Sequence, residues 1–237
     1  GWPTSLRKRC CNHRMGVYLP RWVWVGAGLL ACASGMVNVV GYLGFEHQAI
    51  THLTGTTTLL GGAIAQGDMR ATGQLAGVAL AFMLGAAVSG VIVQDSTLRP
   101  GRRYGVALLL ESLLLLIAIP LFQHQQVAGA WLAAMACGLQ NAMATTFSGA
   151  AIRTSHLSGM FTDLGIGIGH ALRGLPLQKR RLLLCLLIIT TFLTGAVLGA
   201  ILFAHLRYFA LAVPAGVTGV AGLVYMLWRH LAPQPST

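Results

Sequence analysis

Two short segments of the chain carry the same pattern of polar residues. One runs from His52 to Thr58 as His-Leu-Thr-Gly-x-x-Thr, and the other runs from His156 to Thr162 as His-Leu-Ser-Gly-x-x-Thr. Both look like helix starts, where a serine or threonine hydroxyl accepts a hydrogen bond from a free backbone N–H group. A helix start also carries a partial positive charge, which attracts an anion or the oxygen of a neutral solute. With two nearby asparagines, the candidate solute contacts are His52, Thr54, Gly55, Thr58, His156, Ser158, Gly159, Thr162, Asn38 and Asn141.

The same residue types have a second interpretation. Glycine, serine and threonine let transmembrane helices approach closely, and a histidine or asparagine can hydrogen-bond a carbonyl of a neighbouring helix. The residue types alone therefore leave close packing and solute contact open at both segments.

Ionisable side chains inside apolar runs form a second group of candidates. His156, Asp163 and His170 follow one another at intervals of seven residues, which places them on one stripe of a helix. Glu111 lies within the apolar run from Tyr104 to Phe122. An acid or imidazole in the membrane is a candidate for relaying protons or balancing a cation. The candidate coupling residues are Asp163, Glu111 and His170.

The sequence lacks the motifs of several common classes of enzyme. It has no G-x-S-x-G elbow, no phosphate-binding glycine loop of the Walker type and no H-E-x-x-H. Ligands seven residues apart lie about 10 Å apart along a helix, so the histidine stripe is a poor metal site. We therefore expect no enzyme activity, no catalytic residue, no metal and no cofactor.

The composition indicates a membrane protein. Hydrophobic residues make up 55% of the 237 and charged residues 9%, whereas a soluble domain carries about 25% charged residues. Apolar stretches of about 20 residues, long enough to cross a bilayer, recur along the chain. We expect an all-α polytopic protein with the lipid bilayer as its partner. The net charge of +11 lies in short segments between apolar runs, as in cytoplasmic loops, so nucleic acid is not expected as a partner.

Matched blocks in the same order predict a tandem duplication. The domains would be an N-terminal arm at 1–21, a first repeat at 22–122, a second repeat at 127–228 and a tail at 229–237. The clearest pairs outside the histidine segments are Gly35 to Asn38 with Gly138 to Asn141, Phe82-x-x-Gly85 with Phe192-x-x-Gly195, and Arg103-Tyr104 with Arg207-Tyr208.

Each half contains four apolar segments, and the second of each is the shortest and the richest in glycine, serine and threonine. Paired segments of this kind point to a transport site. The segments are Trp22 to Leu43, Ile50 to Gln66, Leu75 to Val93, Tyr104 to Phe122, Val127 to Phe147, Ser155 to Leu172, Leu182 to Phe203 and Tyr208 to Trp228.

The positive charges favour six spans with two short re-entrant segments. In that topology only Arg70 and Arg207 of the 16 lysines and arginines lie outside, with the N-terminus in the cytoplasm, as the positive-inside bias requires. Three spans in each half would make the halves inverted, and the two helix starts would meet near the midplane. Eight spans with parallel halves are the alternative, but they place Arg99, Arg102 and Arg103 outside.

The chain resembles the YoaK family of bacterial membrane proteins, a domain of unknown function. The resemblance rests on the Gly35 block, on His52-Leu-Thr-Gly55 running into Gln66-Gly67-Asp68, and on the Gly138 block leading to Arg153-Thr154. Family members usually have an asparagine where this chain has Thr56. The resemblance implies a multi-pass protein of the bacterial plasma membrane and carries no activity with it.

These features predict a small-solute transporter or channel whose site lies between the two paired segments. The alternative is a non-transporting membrane module that binds a partner or a lipid-borne substrate. Gly85 to Gly90 and Gly195 to Gly199 can pack helices within one chain or between two chains, so a homodimer stays open.

Overall fold

The described part of the protein, in a computed structural model, is built from helices alone, which confirms the all-α prediction. The structure describes residues 20–44, 53–93, 102–147 and 154–231. His52 and Arg99 lie outside these ranges. The helices are α1 (Arg21–Gly44), α2 (Leu53–Gln66), α3 (Met69–Ile92), α4 (Arg102–Gln123), α5 (Val127–Phe147), α6 (Leu157–Leu172), α7 (Lys179–Leu206), a 3₁₀ turn (Arg207–Leu211) and α8 (Ala212–Leu231).

Apolar helices of membrane-spanning length dominate the described chain. By length and composition, five stretches can cross a membrane. The fifth is 50 residues long and contains α7, the 3₁₀ turn and most of α8. The five are Arg21–Gly44, Met69–Ile92, Arg103–Gln123, Val127–Thr146 and Lys179–Trp228.

Helices α1 and α7 pack side by side in parallel through glycines. A Cβ at Gly35 would overlap the carbonyl of Phe192, and a Cβ at Gly195 would overlap the carbonyl of Cys32. The end of α1 at Gly44 lies against Phe203 near the end of α7. The contact therefore proceeds in the same direction along both helices, with backbone touching backbone.

Helices α3 and α5 form a second parallel pair of the same kind. Gly85 lies against the carbonyl of Met135, and Gly138 lies against the carbonyl of Phe82. Nearer the start of both helices, the indole N–H of Trp131 donates to the carbonyl of Gln74 at 3.2 Å. Small residues again allow the two backbones to approach closely.

Helix α4 runs antiparallel to both α5 and α8. The short turn between α4 and α5 brings Gly129 against Phe122. Gly105 near the start of α4 lies against Gly222 near the end of α8. Further along, the buried hydroxyl of Ser112 donates to the carbonyl of Ala215 at 2.7 Å, which joins the middle of α4 to the beginning of α8.

One tyrosine joins the C-terminal ends of three helices. The hydroxyl of Tyr208 donates to the carbonyl of Gly44 at the end of α1. Its ring stacks on Phe122 near the end of α4, with 5.2 Å between ring centroids, and α7 ends directly before it, where Arg207 adopts a positive φ of 52°. Consequently α1, α4 and α7 point one way, while α3, α5 and α8 point the other way.

The two short helices each pack beside the long helix that follows them. Helix α2 contacts α3, and α6 contacts α7. They have 14 and 16 residues, so they are about 21 and 24 Å long, less than the roughly 30 Å of a bilayer core. Between α2 and α3 the chain turns at Gly67, with a φ of +70°, and the Asp68 carboxylate caps α3 by accepting from the N–H of Ala71 at 3.0 Å.

Candidate functional site

The side chain of Gln140 is the centre of a polar cluster inside the helix bundle. It lies on α5 and is 1% exposed. Its amide nitrogen donates to Glu111 Oε1 at 3.0 Å and to the Leu30 carbonyl at 3.3 Å. Its amide oxygen accepts from Ser34 Oγ at 2.5 Å and from Thr154 Oγ1 at 3.1 Å. These four bonds use both donors and both lone pairs of the amide.

Glu111 is the acidic member of this cluster and is 3% exposed. One carboxyl oxygen accepts from Gln140, while the other, Oε2, has no hydrogen-bond partner among the described residues. Glu111 is the tenth of the 22 residues of α4, which places it about 14 Å from the start of the helix. It therefore lies near the middle of the bundle, where an acidic side chain is costly and usually functional.

Thr154 brings the beginning of α6 to this cluster. Thr154 is fully buried and Ser155 is nearly so, and α6 starts at Leu157 and ends at Leu172, which is 85% exposed. The start of α6 therefore lies in the interior of the bundle, and its last residue is exposed. The prediction that a serine or threonine hydroxyl caps this helix start is wrong, because the N-cap position is His156 and no side-chain capping hydrogen bond forms there.

The predicted hydroxyl contacts of the two short helices mostly bond their own helices. Thr58 donates to the carbonyl of Thr54, and Thr162 donates to the carbonyl of Ser158, each at 2.9 Å. These four side chains are exposed. Backbonding of this kind is common for membrane threonines, so the hydroxyl protons of Thr58 and Thr162 already have acceptors within the chain.

The remaining residues of the two polar segments differ in their surroundings. Gly55 has no atom within 4 Å of the place a Cβ would take, whereas at Gly159 that place is filled by the ring of His156. The imidazole therefore lies over the first turn of α6, with Gly159 providing the space. His52, its predicted counterpart, lies outside the described residues.

Asp163 is paired with a base on the neighbouring helix. The Arg181 guanidinium donates to both carboxylate oxygens at 2.9 to 3.1 Å, and the Cys185 thiol is 3.9 Å from one of them. The side chains are 27% and 60% exposed. The charge of Asp163 is thus balanced near the surface, and His170 is exposed in the last turn of α6.

The two asparagines lie close to the cluster along their helices. Asn38 follows Ser34 by one turn on α1, and Asn141 follows Gln140 directly on α5. The side-chain oxygen of Asn141 is buried and has no hydrogen-bond partner in the described part of the chain, while its backbone carbonyl accepts from Thr145 at 2.7 Å.

Sequence reasoning missed three members of the cluster, namely Ser34, Gln140 and Thr154. Gln140 had a usable signal, because an amide side chain in the middle of an apolar helix needs partners. Ser34 and Thr154 gave no comparable signal, since single hydroxyl residues are frequent in membrane helices. Within the described ranges, no three histidine, cysteine, aspartate or glutamate side chains converge as metal ligands.

Comparison with known protein families identifies the family of this chain. The family described as "Protein of unknown function (DUF1275)" matches residues 26–224, which include every described member of the polar cluster. The chain belongs to this family. It is the YoaK-like family of bacterial membrane proteins that the sequence resembles, so that identification is confirmed. No match was found among curated proteins or among solved structures.

Proposed function

We propose that the protein is a small-solute transporter or channel of the bacterial plasma membrane, and that its pathway passes the cluster of Ser34, Glu111, Gln140 and Thr154. The observation that carries this proposal is the buried Glu111 carboxyl group, one oxygen of which has no hydrogen-bond partner among the described residues. Such a group in the middle of a membrane bundle is retained at a cost in stability, and ion or substrate pathways are where such groups occur. No covalent step is part of the proposal.

The helix directions support two inverted halves with six spans. Helices α1, α3 and α4 would form the first half and α5, α7 and α8 the second, with directions opposite to those of their counterparts. The glycine contacts support the same relation, because Gly35 and Gly138 are equivalent positions, as are Phe82 and Phe192. Gly35 lies against Phe192 and Gly138 lies against Phe82. Inverted halves of this kind are a transport architecture.

The positions of the basic residues support a cytoplasmic N-terminus. Arg21, Arg103 and Lys179 stand at the starts of α1, α4 and α7, which point the same way, so they share one end of the bundle. Arg70 and Arg207 stand at the other end, at the start of α3 and after α7. Basic residues favour the cytoplasmic side, so α2 would enter from outside and α6 from inside.

Labelling of single cysteines tests this arrangement. In a cysteine-free background, Arg103→Cys and Lys179→Cys should react with an impermeant thiol reagent only from the cytoplasmic side. Arg70→Cys should react only from outside. Labelling of Arg103→Cys from the same side as Arg70→Cys would support eight spans and parallel halves instead.

Transport itself is tested with the purified full chain in liposomes. We expect at least one solute from a panel of cations, weak acids and neutral compounds to cross faster than in empty liposomes. Gln140→Leu should reduce that flux at least tenfold, whereas Gly61→Ala on the open face of α2 should not. Absence of flux for the whole panel, in vesicles where the chain is shown to be folded, would favour the non-transporting module.

A further inference from the structure

In the cluster around Gln140, the side-chain hydrogen-bond donors are all used. Both amide protons of Gln140 are used, one by Glu111 and one by the Leu30 carbonyl. The hydroxyl protons of Ser34 and Thr154 are used as well, because both point at the Gln140 oxygen. No donor of these side chains is left over for a ligand.

The positions that stay open are all acceptors. Glu111 Oε2 has no partner in the described ranges, and the hydroxyl oxygens of Ser34 and Thr154 keep lone pairs after donating. All these side chains are at least nine-tenths buried. A ligand that completes the cluster must therefore bring donors or a positive charge, and an anion would meet only lone pairs.

The charges around Glu111 also favour a positively charged ligand. In the described chain, the hydrogen-bond partner of Glu111 is the neutral amide of Gln140, and no described salt bridge involves this carboxyl group. The Arg181 guanidinium is already bound to Asp163. A carboxylate that has no counter-charge among the described residues is matched by one monovalent positive charge, since a divalent ion would leave an excess charge in a medium of low dielectric.

We propose that the cluster of Ser34, Glu111, Gln140 and Thr154 is a binding site for a small monovalent cation, either a proton or Na⁺, held at Glu111 Oε2. The inference deepens the proposed function and rests on it for the role of this cation as the transported or coupled species. It excludes an anion as the ligand of this cluster, although the helix starts of the two polar segments suggest one.

Melting of the purified full chain in detergent tests the proposal. One series exchanges choline for Na⁺ at pH 8 and constant ionic strength, and the other lowers the pH from 8 to 6 in choline. A ligand that binds only the folded state raises Tm with its concentration. We expect a saturable rise of several degrees in the Na⁺ series if the ion is Na⁺, or in the pH series if it is a proton.

The variants separate this site from general salt and pH effects. Glu111→Gln should remove the rise, whereas Asp68→Asn should keep it, because asparagine also caps a helix. If Glu111→Gln does not fold, Thr154→Val should shift the midpoint of the titration about tenfold, the size of one lost interaction of 1.4 kcal/mol. The proposal is overturned if the Tm of the native chain changes neither with Na⁺ nor with pH. It is also overturned if the Tm of Glu111→Gln rises as much as that of the native chain.

The two proposals fail separately. A cation-dependent Tm without flux in liposomes keeps the cation site and refutes the transporter. Flux of a solute without any cation-dependent Tm keeps the transporter and refutes the cation site.

Discussion

Replacing Gln140 by leucine tests the central role of its amide in the stability of the bundle. The substitution keeps the volume and removes the partners of Glu111, Ser34 and Thr154. A buried neutral hydrogen bond between membrane helices contributes about 0.6 to 1 kcal/mol. A bond to a carboxyl group contributes about 1.5 to 3 kcal/mol. With three neutral bonds and one bond to a carboxyl group lost, we expect Gln140→Leu to lower the free energy of unfolding by about 3 to 6 kcal/mol.

The neighbouring Asn141 provides the matched control. Its side-chain oxygen is buried without a partner in the described part of the chain, so Asn141→Leu breaks no hydrogen bond of that oxygen and should change the free energy of unfolding by less than about 1 kcal/mol. The measurement is equilibrium unfolding in mixed micelles, followed by tryptophan fluorescence. In the Gln140→Leu background, Ser34→Ala should leave the free energy of unfolding almost unchanged, because the hydrogen bond between residues 34 and 140 is already absent. Equal stabilities of the Gln140→Leu and Asn141→Leu chains would refute the reasoning.

Four further variants can be checked with the same unfolding measurement. Gly35→Ala should destabilise by about 1 to 3 kcal/mol, since its Cβ meets backbone, whereas Gly61→Ala meets nothing within 4 Å and should stabilise by up to about 1 kcal/mol. Arg181→Gln should lower the free energy of unfolding by less than about 1 kcal/mol, because its pair with Asp163 is partly exposed. A larger loss would mean that this ion pair is less accessible to water than the exposures indicate. Tyr208→Phe should cost about 1 kcal/mol by removing the hydroxyl bond to the end of α1.

The sequence was sufficient to predict the helices, because apolar runs bounded by glycine, proline and charged residues specify them locally. It also indicated Glu111, since an acid in an apolar run is recognisable without any partner. The partners could not be read, because Ser34 and Gln140 are separated by 106 positions and no local pattern tells which faces of two helices meet. Asp163 was read as an intramembrane acid for the same reason, as its partner Arg181 lies on the next helix.

The interhelical contacts suggest which parts of the bundle would move against each other. The tight glycine contacts join α1 to α7 and α3 to α5, and each pair carries one short helix, α6 or α2. Six of the eight described helices thus form two groups of three, each containing helices from both proposed halves, while α4 and α8 pack on each other. Gln140 belongs to one group, whereas Ser34 and Thr154 belong to the other. Its bonds cross the boundary, so a movement of the groups would break hydrogen bonds at this cluster while the backbone contacts at Gly35 and Gly138 stay intact. A cation on Glu111 would alter those bonds directly, because Glu111 Oε1 and both hydroxyls share the same amide.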